Sequence, residues 1–177
     1  MGLQEWLFFR NWPRPRQGGG PPDLNLDIAK RTLGIFKEDT LVETLKERLG
    51  PPVSWSRMRH QRQWVYPDLG VIFESECGLI VEYLVVTRQP ELSPLRKWQG
   101  LWQAWSGSIA FPDGFRRQGL EIRLDDFLKH LEEPTDRDDE DGEGTTLVYS
   151  LTKQLPDIDL EVEFTPEGEL RNLDISW

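Results

Sequence analysis

Cysteine and histidine are scarce in this chain. Its 177 residues include one cysteine, Cys77, and two histidines, His60 and His130. A lone cysteine cannot form an intramolecular disulfide, so the composition fits a reducing compartment. The two histidines, which are the natural acid–base groups near neutral pH, lie far apart in the sequence. We therefore predict no catalytic residues and expect that the protein is not an enzyme.

Long apolar runs are also missing. The N-terminal aromatic patch from Trp6 to Phe9 is shorter than the roughly 7–15 apolar residues of a signal peptide. No stretch approaches the roughly 20 apolar residues that a membrane-spanning helix needs. The sequence therefore predicts neither export nor membrane anchoring, and we expect a cytoplasmic location.

Basic side chains are fewer than acidic ones. The chain carries 31 acidic and 21 basic side chains, a formal net charge of −10 at pH 7. This field repels the phosphate backbone of nucleic acids, so no nucleic-acid partner is predicted, and a basic partner protein is the natural complement. The alternative is that the acidity serves only solubility.

The spacings that mark metal and phosphate sites are absent too. The chain has no cysteine pair, no helical histidine pair and no glycine-rich phosphate loop. An EF-hand count from Asp136 places Asp141 where the loop requires glycine and Leu147 where it requires glutamate. We predict no metal site and no cofactor.

What the chain does contain is one dense acidic segment. It has no apolar residue, so we expect a solvated loop inserted into the second half of the chain. Such a loop would accelerate encounter with a basic partner. The sequence therefore predicts a partner-binding surface at Asp136, Asp138, Asp139, Glu140, Asp141 and Glu143.

Tryptophans form the second candidate surface. Trp98, Trp102 and Trp105 share one face of a predicted short helix with Leu101. Tryptophan is favoured both in cores and at binding hot spots, and an exposed stripe would be a partner site. Both interpretations stay open at this level.

A repeated pattern indicates the fold class. Apolar residues at helical spacing, Leu41, Leu45 and Leu49, precede a series of short strands, and a second helical stripe from Leu124 to Leu131 precedes a similar series. Pro67-Asp68 with Phe73 and Gly78 is answered by Pro156-Asp157 with Phe164 and Gly168. We predict an α+β fold of two diverged repeats, each a helix plus an antiparallel β-meander, that share one core or sheet.

The same pattern divides the chain into four parts. Residues 1–22 form a Pro/Gly-rich tail, and residues 23–88 form the first helix-plus-hairpin repeat. Residues 89–106 form a Trp-rich connector, and residues 107–177 form the second repeat with the acidic loop.

Each half resembles the helix-then-hairpin unit of the SmpA/OmlA outer-membrane assembly lipoproteins and of β-lactamase-inhibitor-protein-like tandem folds. The resemblance rests on residues 40–52, 64–66 and 69–84 in the first half, and on residues 120–134 and 147–173 in the second. It implies the tandem α+β fold. The membrane role of the lipoproteins is not implied, because a signal sequence and a lipid-bearing N-terminal cysteine are missing.

Small, acidic proteins without a catalytic constellation are also similar in style to bacterial toxin-immunity proteins. We therefore predict a non-catalytic protein-binding module, an immunity protein or inhibitor that neutralises a basic partner. One alternative is an intracellular enzyme or small-molecule-binding protein, which a deep polar pocket at His60 or His130 would favour. Another is a scaffold subunit of a larger complex.

Overall fold

A large antiparallel sheet organises the fold. The computed structural model describes residues 23–50, 52, 54–58, 61–88, 102–140, 142, 144–150 and 159–176. Within these ranges the elements follow in the order β1 (Leu26–Asp27), β2 (Thr32–Leu33), α1 (Val42–Leu49), β3 (Ser54–Met58), β4 (Gln61–Tyr66), β5 (Val71–Glu76), β6 (Leu79–Val86), β7 (Ser108–Ala110), β8 (Arg116–Gln118), a 3-10 helix (Gly119–Glu121), α2 (Leu124–His130), β9 (Asp136–Glu140), β10 (Gly144–Ser150), β11 (Asp159–Phe164) and β12 (Leu170–Ser176).

Eight of these strands form the large sheet, in the order β3-β4-β5-β6-β12-β11-β10-β9. Every neighbouring pair in it is antiparallel. The meander β3–β6 follows α1, the meander β9–β12 follows α2, and the two meanders meet where β6 pairs with β12. The α+β class predicted from the sequence is confirmed.

A small second sheet has the order β2-β1-β7-β8. Strand β1 runs parallel to β7, with Leu26 opposite Ile109. The short N-terminal strand is therefore held against the segment that precedes α2.

One core lies between the helices, the small sheet and one side of the large sheet. Leu45 of α1 and Phe127 of α2 are fully buried in the same apolar cluster as Phe73 and Leu173 of the large sheet and Ile109 of the small one. The spacing of Val42, Leu45 and Leu49 explains how α1 reaches this core, because these side chains share one helical face.

Trp105 fills the centre of this core. Its side chain is 1% exposed, and its Nε1 donates a hydrogen bond to the carbonyl oxygen of Leu24 at 3.0 Å. The ring lies so close to Gly107 and Gly119 that a Cβ at either position would come within 2.4 Å of it. Trp105 is therefore a structural residue.

The predicted acidic loop is wrong over residues 136–140. These residues form β9, an edge strand that pairs with β10, with Asp138 opposite Thr146. Backbone pairing with β10 is independent of side-chain hydrophobicity, so a fully polar segment can complete the sheet. Strand β9 forms one edge of the large sheet, and β3 forms the other.

The predicted tryptophan helix is also wrong where it can be assessed. Residues 102–107 form neither helix nor strand, and residues 89–101 lie outside the described residues, as does the tail 1–22. Backbone hydrogen bonds from Gln103 N to the oxygen of Pro67 and from Trp105 N to the oxygen of Val86 tie this segment to the first meander. Those contacts replace the helical hydrogen bonds.

Candidate functional site

The side of the large sheet that faces away from the helices carries an acidic surface. Successive side chains of a strand point to opposite faces, so the positions between the buried core residues share this side. We call it the outer face. The strand register assigns no lysine or arginine to this face on β4–β6 and β9–β12. Its positions include Gln63, Val65, Ile72, Glu74, Glu82, Leu84, Val86, Asp136, Asp138, Thr146, Val148, Glu161, Glu163, Asn172 and Asp174.

Carboxyl groups meet at the centre of the outer face. Strand pairing places Glu74 opposite Glu82 on β5 and β6, and Glu161 opposite Asp174 on β11 and β12. The two pairs are neighbours because β6 pairs with β12, where Glu82 lies opposite Ser176, two residues along β12 from Asp174. The acidic centre therefore spans both halves of the sheet.

Two neutral amide side chains donate hydrogen bonds to carboxyl groups at or beside this centre. Gln63 donates a side-chain hydrogen bond to Glu74 Oε1. Asn172 donates from Nδ2 to Glu163 Oε2 at 2.8 Å. These amides orient the outer carboxylates without neutralising their charge.

Burial and mutual repulsion alter the acidity of the central groups. Burial, followed by the neighbouring Glu82, raises the pKa of Asp174 to about 9. Burial and the neighbouring Glu74 also raise the pKa of Glu82, and burial and Glu163 raise that of Glu161. Asp174 therefore keeps its proton to a higher pH than an ordinary aspartate does.

Asp174 also has an unmet hydrogen-bonding requirement. Its Oδ1 is buried, and no donor in the described part of the chain reaches it. A buried acceptor without a donor is costly. The centre of the outer face thus lacks a positive or donor group.

An apolar patch adjoins the acidic centre. Trp102, which is 8% exposed, packs on Val65, Ile72 and Val86, with Leu84 partly buried beside them. Register places Leu84 directly opposite Asp174. We call these five apolar residues the apolar corner, and they lie next to the carboxyl groups on the same face.

The predicted tryptophan stripe is therefore not a single surface. Trp105 belongs to the main core, Trp102 packs on the outer face, and Trp98 lies outside the described residues. The indole Nε1 of Trp102 is buried without a hydrogen-bond partner among the residues described. Of these three residues, Trp102 packs in the apolar corner, whose Leu84 lies opposite Asp174.

The predicted acidic residues divide between the two sides of β9. Asp136, Asp138 and Asp139 are exposed. Asp139 lies on the opposite side from the other two, where Arg137 Nε donates to its Oδ2 at 2.8 Å and holds the pKa of Asp139 below its ordinary value. Glu140 belongs to β9. Nothing is described of its side chain, and Asp141 and Glu143 lie outside the described residues.

The central carboxyl groups, Glu74, Glu82, Glu161 and Asp174, are not among the site residues predicted from the sequence. A signal for them exists in the alternation of acidic and apolar residues, as in Leu160-Glu161-Val162-Glu163 and Leu173-Asp174-Ile175. Such alternation is typical of a strand with one buried and one open face. The high density of acidic residues in 136–143 predicted a partner surface at the edge of the sheet instead.

His130, the last residue of α2, lies among aromatic side chains. Its ring stacks on Phe115 with a centroid distance of 3.9 Å, and its Nδ1 lies 2.7 Å from Asp113 Oδ2. Asp113 is its one hydrogen-bonding partner among the described residues, and the contact lowers the pKa of Asp113. The pair joins the β7–β8 turn to the end of α2. His60 lies outside the described residues.

The described residues offer no other obvious centre. No group of three or more histidine, cysteine, aspartate or glutamate side chains among them is arranged to hold a metal ion. None of the helices in the described ranges is long and apolar enough to cross a membrane. Cys77, a free and exposed thiol, lies in the turn between β5 and β6.

Comparison with known proteins gives little further information. No protein-family model matches the chain, and no curated protein matches it. The fold is similar to part of a cysteine-rich secretory protein from Staphylococcus aureus, with a TM-score of 0.41 and 14% identity over 88% of this chain and 48% of that one. It is also similar to part of an extracellular protein containing an SCP domain from Bacillus anthracis, with a TM-score of 0.43 and 14% identity over 93% of this chain and 50% of that one. The chain thus spans about half the length of each.

Proposed function

We propose that this protein is a non-catalytic binding module that neutralises a basic partner protein, as an immunity protein or inhibitor does, through the outer face of its large sheet. The observation that carries the proposal is the convergence of Glu74, Glu82, Glu161 and Asp174 on a face whose described strand positions include no basic side chain. A cationic surface supplies the charge that this face lacks. The proposed partner surface is therefore the centre of the sheet, and not the acidic segment at β9 that the sequence predicted.

The apolar corner supports the same proposal. Protein interfaces commonly combine an apolar centre that includes aromatic residues with a polar surround. Leu84 provides apolar area directly beside Asp174, and Trp102 packs in the same apolar corner. Charge then favours rapid and selective encounter with a basic partner, while the apolar contacts contribute to the lifetime of the complex.

The proposed duplication explains why this face is broad. We infer that α1 with β3–β6 and α2 with β9–β12 are diverged copies, supported by the mirrored strand order about the β6–β12 junction. One meander alone offers a narrow surface. Two meanders joined edge to edge place Glu82 from one copy beside Asp174 from the other, so the binding centre depends on both.

The experiment is affinity purification from the native cell with three matched baits. The first is the parent chain, and the second is the outer-face variant Glu74→Gln/Glu82→Gln/Glu161→Gln. The third is a control, Glu121→Gln/Asp125→Asn/Glu133→Gln, which removes the same formal charge at exposed positions on and beside the 3-10 helix and α2. Each bait is first checked for an unchanged circular dichroism spectrum.

A genuine partner is a basic protein that the parent and the control recover equally and the outer-face variant does not. It must then bind the purified parent at a fixed stoichiometry. If every recovered protein is retained by the outer-face variant, the outer face is not the binding surface and the proposal is wrong.

A further inference from the structure

At one end of the large sheet the chain passes from the outer face to the core. Trp102 packs on the outer face, whereas Trp105 lies in the main core. Between them, Gln103 N donates a hydrogen bond to the oxygen of Pro67, the residue after β4. Trp105 N donates to the oxygen of Val86, the last residue of β6. A segment of chain at this end of the sheet therefore has access to the outer face.

The described chain begins at the same end. Its first residue is Asp23, and the carbonyl oxygen of Leu24 accepts the hydrogen bond from Trp105 Nε1. Trp105 thus contacts Leu24 through its side chain and Val86 through its backbone. Since Val86 belongs to the apolar corner, the segment that precedes Asp23 starts beside the outer face.

The sequence of that preceding segment is the chemical complement of the outer face. Residues 1–22 contain three arginines and one acidic residue, Glu5, in a chain whose net charge is −10. They also contain a group of large apolar residues. The arginines are Arg10, Arg14 and Arg16, and the apolar residues are Trp6, Leu7, Phe8, Phe9 and Trp12. The segment therefore combines positive charge with apolar surface, where the outer face combines negative charge with apolar surface.

We propose that residues 6–16 dock on the outer face of their own large sheet. The aromatic side chains pack on the apolar corner, and the arginines pair with the carboxyl groups beside it. The occupant is a segment of the same chain, so the contact exists without any partner protein. A basic partner that binds the outer face has to displace this segment.

The apolar corner has a requirement that such a segment meets. Trp102 is 8% exposed, and its Nε1 is buried without an acceptor among the described residues. A buried N–H without an acceptor is costly. Each residue of a polypeptide carries a carbonyl acceptor, so a stretch of backbone across the corner can accept this hydrogen bond. It also covers Leu84, which is only partly buried there.

The lengths of the segment and the face are compatible. Residues 17–22 separate Arg16 from Asp23, and this connection spans up to about 23–25 Å when extended. The outer face from β4 to β11 is four strand spacings wide, which is about 19 Å. A short flexible connection also gives an effective concentration on the order of millimolar, so a weak contact suffices to keep the segment docked.

Paramagnetic relaxation enhancement in the full-length chain tests the contact at low salt. Cys77→Ser removes the free thiol, and Gln4→Cys carries a nitroxide whose reduced form gives the reference spectrum. The indole N–H signal of Trp102 and the amide signals of Leu84 and Asp174 should be broadened. The amide signals of α2 and of the small sheet should keep their intensity.

Two variants of the nitroxide-labelled chain isolate the role of the arginines. Arg10→Gln/Arg14→Gln/Arg16→Gln should restore most of the lost outer-face intensity, because it removes the charges that pair with the carboxyl groups. The control Lys37→Gln/Arg116→Gln/Lys129→Gln removes the same formal charge at exposed positions before α1, in the small sheet and in α2. In the control the broadening should persist.

A mixed sample identifies which chain supplies the segment. It combines isotope-labelled Cys77→Ser chain without a nitroxide and nitroxide-labelled chain without the isotope, and it should show no broadening. Broadening in this mixture equal to that in the single chain assigns the segment to a second copy and overturns the proposal. Broadening that is uniform, centred on α2 or unchanged by the arginine variant overturns it as well. None of these measurements involves the basic partner, so their outcome is separate from that of the affinity purification.

Discussion

Replacing Asp174 with asparagine should stabilise the protein at neutral pH. In the folded state, burial and neighbouring carboxyl groups raise the pKa of Asp174 to about 9. In the unfolded chain, the same side chain ionises at its ordinary pKa. At a pH between these two pKa values the folded state holds a proton that the unfolded state releases, so stability falls as the pH rises. Asparagine has no proton to lose and is free of this penalty.

The magnitude follows from the pH interval. Each pH unit costs about 1.4 kcal/mol, so the interval from about pH 4 to 7 sets a ceiling near 4 kcal/mol. Asparagine still buries a polar amide, which costs roughly 1–3 kcal/mol unless it is paired. Since the amide can donate to Glu82, we expect Asp174→Asn to gain about 2 kcal/mol at pH 7 and close to nothing at pH 4.

Urea unfolding of both proteins at pH 4 and pH 7 measures this difference. Asp138→Asn is the matched control because it removes an exposed carboxylate from the same face, and its effect should stay within about 0.5 kcal/mol at both values. A gain for Asp174→Asn that is equal at the two pH values would refute the assignment of a retained proton. A loss of stability at pH 7 would refute it as well.

The remaining predictions concern the frame of the fold. Urea unfolding should show that Gly70→Ala destabilises the protein more than Gly78→Ala does. Both glycines have a positive φ, but only at Gly70 would the new Cβ meet backbone, at 2.4 Å from Trp105 N. Equal losses of unfolding free energy in the two variants would contradict the clash. Trp105→Ala should cost about 3–5 kcal/mol of unfolding free energy, since it empties a buried site and removes a hydrogen bond; a loss below about 1 kcal/mol would count against its central place in the core. His130→Ala should raise the carboxyl pKa of Asp113 towards its ordinary value, as followed by carbon-detected NMR. The stability that the pair contributes should accordingly be lost as the pH falls through the lowered pKa of Asp113, and an unchanged titration of Asp113 would exclude the contact.

Local patterns predicted the parts of the fold that depend on local periodicity. Of the predicted stripe Leu41, Leu45 and Leu49, the last two lie on the buried face of α1, whereas Leu41 precedes the helix and is 54% exposed, so Val42 takes its place in the core. The β-branched and aromatic run from Leu79 to Val86 forms β6. The α+β class followed from these elements. Each of them depends mainly on residues close together in the sequence, which is why one sequence suffices.

The rest depends on contacts between distant segments. Strand β9 has no apolar side chain to signal it, and only its pairing with β10 makes Asp136–Glu140 extended. The spacing of Trp102 and Trp105 fits a helix, but backbone hydrogen bonds to Pro67 and Val86 prevail over that preference. Local periodicity does not report such long-range pairing.

The candidate site can be recognised only when the order of the strands in the large sheet is known. Glu82 and Asp174 are distant in sequence, and nothing local indicates that β6 pairs with β12. Once that pairing is known, the alternation of acidic and apolar residues in both strands identifies the outer face. The sequence predicted an acidic partner surface at β9, and we propose the outer face for that role instead.

The most direct test of the outer face as the binding surface is the association rate of the recovered basic partner, measured by stopped flow at low and at high salt. We predict that Glu74→Gln/Glu82→Gln/Glu161→Gln slows association strongly at low salt and that the difference from the parent shrinks as salt screens the charges. The β9 variant Asp136→Asn/Asp138→Asn/Asp139→Asn should have the smaller effect. If the outer-face variant associates as fast as the parent at low salt, or the β9 variant is the slower of the two, the central carboxyls do not form the binding surface.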